Sequence, residues 1–83
     1  MNQHMKFMIS SKYFLRDFEE GKLITNIDTQ DSYYIENDLF EVLLPATTNF
    51  TDFDGLNYND VYNEESIKKF VLSLVDSKIF ISK

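Results

Sequence analysis

Apolar and polar positions change their period several times along this chain, and each change marks an element. Residues 1–12 show no period and read as a flexible N-terminal segment, ahead of a single domain over 13–83. Tyr13-Phe14-Leu15-Arg16-Asp17-Phe18 is dense in aromatic and apolar side chains, and Glu19-Glu20-Gly21 follows as a turn. Within 22–28, Leu23, Thr25 and Ile27 recur at period two, which places them on one face of a strand. Thr29-Gln30-Asp31-Ser32 interrupts with turn formers, and Tyr33-Tyr34-Ile35 resumes as a short β-branched and aromatic strand. Strands joined by turns this tight run antiparallel, because parallel neighbours need a long crossover. The period of the two tyrosines sends one ring to each face, and Tyr34 is the outward one if Ile35 is buried.

The second half changes to helical spacing. Asn37 or Asp38 supplies an N-cap, and Leu39, Phe40, Val42, Leu43 and Leu44 form a short apolar helix that Pro45 ends. Residues 46–62 mix turn formers with Phe50, Phe53, Leu56 and Tyr58, and read as a short helix or an ordered loop. Asn63 caps the longest helix, roughly 64–77. There Ile67, Phe70, Val71 and Leu74 recur at i, i+3, i+4 and i+7, and Leu72 and Val75 widen the stripe. Residues 78–81 close the chain as a short extended segment. The expected fold is therefore α+β and winged-helix-like, an N-terminal three-stranded antiparallel sheet followed by three helices.

Size and charge narrow the function. A chain of 83 residues removes only about 60–65% of its unfolded surface from water, so its core is thin and a deep active site is hard to accommodate. Cysteine is absent, which excludes disulfides, thiolate metal sites and a cysteine nucleophile and fits a reducing, cytoplasmic setting. No stretch has the length of a signal-peptide core or a membrane span. The formal net charge is −6, and Arg16 is the single arginine. A phosphate backbone or an anionic membrane asks for the opposite sign, so neither nucleic acid nor membrane is an expected partner.

Candidate chemistry is sparse. His4 is the single histidine and lies in the leading segment, while Ser10, Ser11, Ser66, Ser73 and Ser77 have no base in view. Asp52-Phe53-Asp54-Gly55 is faintly like a calcium loop, but Phe50 and Val61 stand where that pattern needs oxygen ligands. Asp28 and Asp31 read as turn residues, and Lys68-Lys69 as a solvated helix face or a contact for an acidic peptide. The reading is a binding module rather than an enzyme, with no cofactor and no metal.

Gly21-Lys22-Leu23-Ile24-Thr25-Asn26-Ile27-Asp28, followed by Ser32-Tyr33-Tyr34-Ile35-Glu36-Asn37, resembles the PqqD-like domain, also called the RiPP precursor-peptide recognition element. That family has a Gly, an apolar strand ending near Asp, a turn, then aromatic residues and Leu-Asn before an apolar helix. Here Ile35 stands for the Leu, 39–44 match the helix, and 67–79 resemble the final helix. Glu36 holds the Asn position, and the stretch after Pro45 departs from the family's Leu/Ala-rich helix.

The resemblance implies a protein that binds the leader segment of a ribosomally made precursor peptide and presents it to a modifying enzyme. That enzyme would be a lasso-type leader peptidase and cyclase or a radical-SAM enzyme. The leader would add a strand to the sheet edge at Ser32, Tyr33, Tyr34, Ile35 and Glu36. Its alternate side chains would meet a wall formed by Ile67, Lys68, Phe70, Val71, Leu74 and Val75 of the last helix. The alternative reading is an acidic winged-helix regulatory or protein-interaction module.

Overall fold

In the computed structural model, which describes residues 5–83, the first element is a strand where none was expected. Strand β1 (Phe7–Ile9) pairs antiparallel with β5 (Phe80–Ser82), in the register Phe7↔Ser82 and Ile9↔Phe80. On its other side Phe7 exchanges both backbone hydrogen bonds with Thr51, at 2.9 and 3.0 Å. Phe7 and Ile9 alternate inward, and Phe7 is wholly buried against Phe53 and Phe80, with ring centroids 5.0 and 5.9 Å away. Residues 7–9 thus belong to the core, not to a loose leader. Residues 1–4 and His4 lie outside the described residues.

The second sheet is the one the sequence pattern anticipates, with strand order β2 (Tyr13–Phe18), β3 (Gly21–Asn26), β4 (Ser32–Glu36). Its first hairpin pairs Phe18 with Gly21 around Glu19 and Glu20, with Glu19 in the left-handed region. The loop before β4 is organised by the Asn26 side chain, which accepts hydrogen bonds from the backbone of Asp28 and Thr29. Asp31 accepts from the Thr29 hydroxyl, while Asp28 pairs with Lys12 at 3.1 Å.

Helix α1 (Asn37–Leu43) follows β4 without a turn. Asn37 and Asp38 therefore sit inside its first turn rather than capping it. Glu36 is the cap residue and makes no side-chain cap bond; the Asn37 N–H goes instead to the Glu20 carbonyl. A 3-10 turn, Leu44–Thr47, takes over at Pro45, which fits there because a first-turn N–H has no helical partner to lose. Another, Phe53–Gly55, is closed by the Asp52 carboxylate accepting from the Gly55 N–H at 3.0 Å. Helix α2 (Glu64–Asp76) is capped by Asn63, whose side chain accepts from the Ser66 N–H at 2.7 Å. It ends with left-handed Lys78, where Ile79 N–H reaches the Leu74 carbonyl and Lys78 N–H the Val75 carbonyl, a Schellman closure.

The expected winged-helix-like plan is corrected on two points. Among the described residues, two sheets, of two and three strands, replace the single N-terminal sheet, and two α-helices replace three. Residues 46–62 supply too few apolar positions at helical spacing, and fold as 3-10 turns and loop anchored by buried Phe53 and Leu56. Loop side chains fasten this segment to α1: Asn59 Nδ2 donates to the Asp38 carbonyl and the Tyr62 hydroxyl to Asp38 Oδ1. Among the described residues, no helix is long and apolar enough to cross a membrane.

Candidate functional site

Strand β4 is an edge strand. Its register against β3 pairs Thr25 with Ser32, Ile24 with Tyr33, Leu23 with Tyr34, Lys22 with Ile35 and Gly21 with Glu36. The flanking bonds Asn26 N–H to Asp31 carbonyl and Asn37 N–H to Glu20 carbonyl fix which pairs are hydrogen-bonded. In an antiparallel ladder these alternate, so Tyr33 and Ile35 turn their backbone groups toward β3. Ser32, Tyr34 and Glu36 turn theirs outward. Among the described residues, β4 pairs only with β3, so the outward groups meet no other strand, although the Glu36 carbonyl, at the N-cap of α1, is the helix's first acceptor.

Side chains divide by the same alternation. Ile35 is buried on the core face, and Tyr33, on that face too, leans out beyond the core. Its ring meets Phe70 of α2 at 6.3 Å between centroids, tilted 42°. Tyr34 lies on the opposite face, as its period requires once Ile35 is inward. There its ring crosses Gly21 to meet Phe18 edge-on at 6.3 Å. A Cβ on Gly21 would stand 2.7 Å from the Tyr34 ring and 2.3 Å from the Ile35 carbonyl oxygen, so only glycine admits this crossing. Partial desolvation, together with Glu36, Glu19 and Glu20, raises the Tyr34 phenol above its ordinary pKa. The open flank beside it is a concavity of ≈ 500 Å³ lined by Glu20, Tyr34, Glu36, Asn37 and Asp38.

The helix residues expected to form the wall separate into distinct groups. Ile67, Val71 and Leu74 point into the core and are almost fully buried. Lys68 turns the other way, its ammonium 5.9 Å over the Phe53 ring. Val75 faces a shallow pocket of ≈ 310 Å³ with Lys78, Phe80, Ile81 and Ser82, at the β5 end of the helix. Phe70 alone is shown in ring contact with β4, through Tyr33. The structure thus brings together the rim Ser32, Tyr34, Glu36 and the aromatic pair Tyr33–Phe70.

Sequence reasoning missed Phe14 and Phe18, which share the outer sheet face with Tyr34. The signal was the alternation Phe14, Arg16, Phe18 within β2. Ser10, considered as a nucleophile, is a buried turn residue whose hydroxyl accepts from the Lys12 N–H. Among the described residues, no group of three His, Cys, Asp or Glu side chains could hold a metal ion. Comparison with protein-family models, curated proteins and solved structures finds no match for this chain.

Proposed function

We propose that this chain is a cytoplasmic, non-enzymatic binding module that takes up an extended peptide along β4. The peptide is the leader of a ribosomally made precursor, presented to a modifying enzyme. The observation that supports this reading is the row of outward backbone groups at Ser32, Tyr34 and Glu36 beside the Tyr33–Phe70 pair. An extended peptide satisfies such a row by strand addition: backbone bonds set affinity and register, and alternate side chains set specificity. Those on the core side of the new strand would meet Tyr33 and Phe70, favouring apolar or aromatic residues. Those on the other side would meet Tyr34 and Glu36.

The test is titration of isotope-labelled protein with the synthetic leader segment of any short precursor found encoded beside its gene. Amide shifts are expected on 32–36 and around Phe70. Tyr34→Pro removes an outward N–H, and edge strands tolerate proline where that group faces solvent. Binding should fall about twofold to tenfold, the equivalent of one backbone hydrogen bond, with the fold kept. Leader binding that leaves 32–36 unshifted, or that survives Tyr34→Pro intact, contradicts the strand-addition reading.

A further inference from the structure

Among the described residues, no element covers the outer face of the β2–β3–β4 sheet, and it is unusually rich in rings. Alternation and register place Phe14, Arg16 and Phe18 of β2 there, with Leu23 and Thr25 of β3 and Ser32, Tyr34 and Glu36 of β4. Phe14, Phe18 and Tyr34 are 43%, 44% and 41% exposed. Single exposed apolar side chains are ordinary on a protein surface, but a contiguous group marks an interaction site. Phe18 and Tyr34 are also held in place before any partner arrives, because their edge-on contact spans Gly21. Rings ordered in advance lose little freedom on binding.

The charges around these rings select the occupant. Glu36 lies on the face, and Glu19 and Glu20 form the hairpin at the same end. Arg16 is the one cation that the three strands place on this face, and Lys12, at the far end, is engaged by Asp28. A second copy of this chain would bring one acidic hairpin into the field of another, each molecule carrying a net charge of −6. Nucleic acid and anionic membranes are repelled for the same reason.

We propose that this face docks a protein partner presenting apolar side chains flanked by lysine or arginine, the apolar groups seating on Phe14, Phe18, Leu23 and Tyr34 and the cations on Glu19, Glu20 and Glu36. The face shares the Tyr34 and Glu36 side chains with the β4 edge, but Phe14, Phe18, Leu23 and the Glu19–Glu20 hairpin lie away from the outward backbone row. The proposal does not depend on strand addition.

The probe is a synthetic amphipathic helix of leucine and lysine, with a leucine–glutamate counterpart, titrated against the isotope-labelled full chain. The lysine peptide should shift the amides of Phe14, Arg16, Phe18, Leu23 and Tyr34, and the glutamate peptide should not. Reversing the hairpin charges in a Glu19→Lys, Glu20→Lys double variant should weaken the lysine peptide roughly tenfold. Phe18→Ser should weaken it to a similar degree while keeping the unfolding midpoint. If Phe18→Ser does not fold, the surface-charge variant decides the matter alone. Shifts centred on the acidic 52–65 segment, equal binding of both peptides, or self-association through this face would each overturn the proposal. Leader binding that persists in the Glu19→Lys, Glu20→Lys variant while the lysine peptide is weakened would separate the two surfaces.

Discussion

Strand β1 is bonded along both sides, to β5 and to Thr51, and its Phe7 is enclosed by Phe53 and Phe80. Strand β4 is bonded on one side only, and both of its tyrosines are about two-fifths exposed. The first arrangement joins the two ends of the described chain and fills the core. The second leaves hydrogen-bonding groups and rings directed at solvent. A longer apolar edge left like this would invite aggregation, but here charge limits it: Glu36 ends the strand, and the Glu19–Glu20 hairpin stands beside it. Backbone groups and rings are thus closed off in one sheet and left accessible at the edge of the other.

The largest expected effect falls on the closed sheet. Phe7→Ala removes a fully buried ring and should cost about 3–5 kcal/mol, much of the stability of a domain this small. Urea unfolding measures it, and a loss no greater than that of Phe14→Ala would erase the contrast. Asn63→Ala should cost about 1 kcal/mol, since the Ser66 N–H loses its cap. The same unfolding curves report it, and the Tyr33 ring signals should stay in place because the core still holds α2.

The smallest effect is a pH dependence. Tyr58 donates to the Phe53 carbonyl at 2.8 Å, and burial, with Glu64, Asp54 and Asp52 nearby, raises its pKa above the ordinary 10.0. Tyr62 is raised by burial and by its hydrogen bond to Asp38. A raised phenol keeps its proton longer in the folded state, so its contribution is complete below pH 10.0 and is lost as pH rises toward the folded pKa. Unfolding midpoints should therefore fall above that pH. Tyr58→Phe should flatten the fall more than Tyr34→Phe, whose exposed ring is screened by water.

What the sequence made legible follows the same division. The three-stranded sheet is local, its turns joining neighbours; period two showed in 22–28, although β3 ends at Asn26 and leaves Ile27 in the exposed turn. Strands β1 and β5 are three residues each, too short to show a period, and their partners lie at opposite ends of the chain. The Asn63 cap was legible because capping is chemistry over three residues. Pro45 and the polar stretch behind it said that the short apolar helix stops, but not that 3-10 turns would follow. The rim 32–36 could be read from its strand signal. The wall could not, because Ile67, Val71 and Leu74 satisfy the helical stripe that any core demands. Only the fold shows that Phe70, one step around the helix, is the residue that reaches Tyr33.

Amide hydrogen exchange of the peptide-free protein tests the unpaired β4 rim most directly. Tyr33 and Ile35, bonded to β3, should exchange slowly, while Ser32, Tyr34 and Glu36 exchange at rates near those of an unstructured chain. Slow exchange at all five positions without a peptide would mean that the rim is already occupied, and strand addition would have no place to occur.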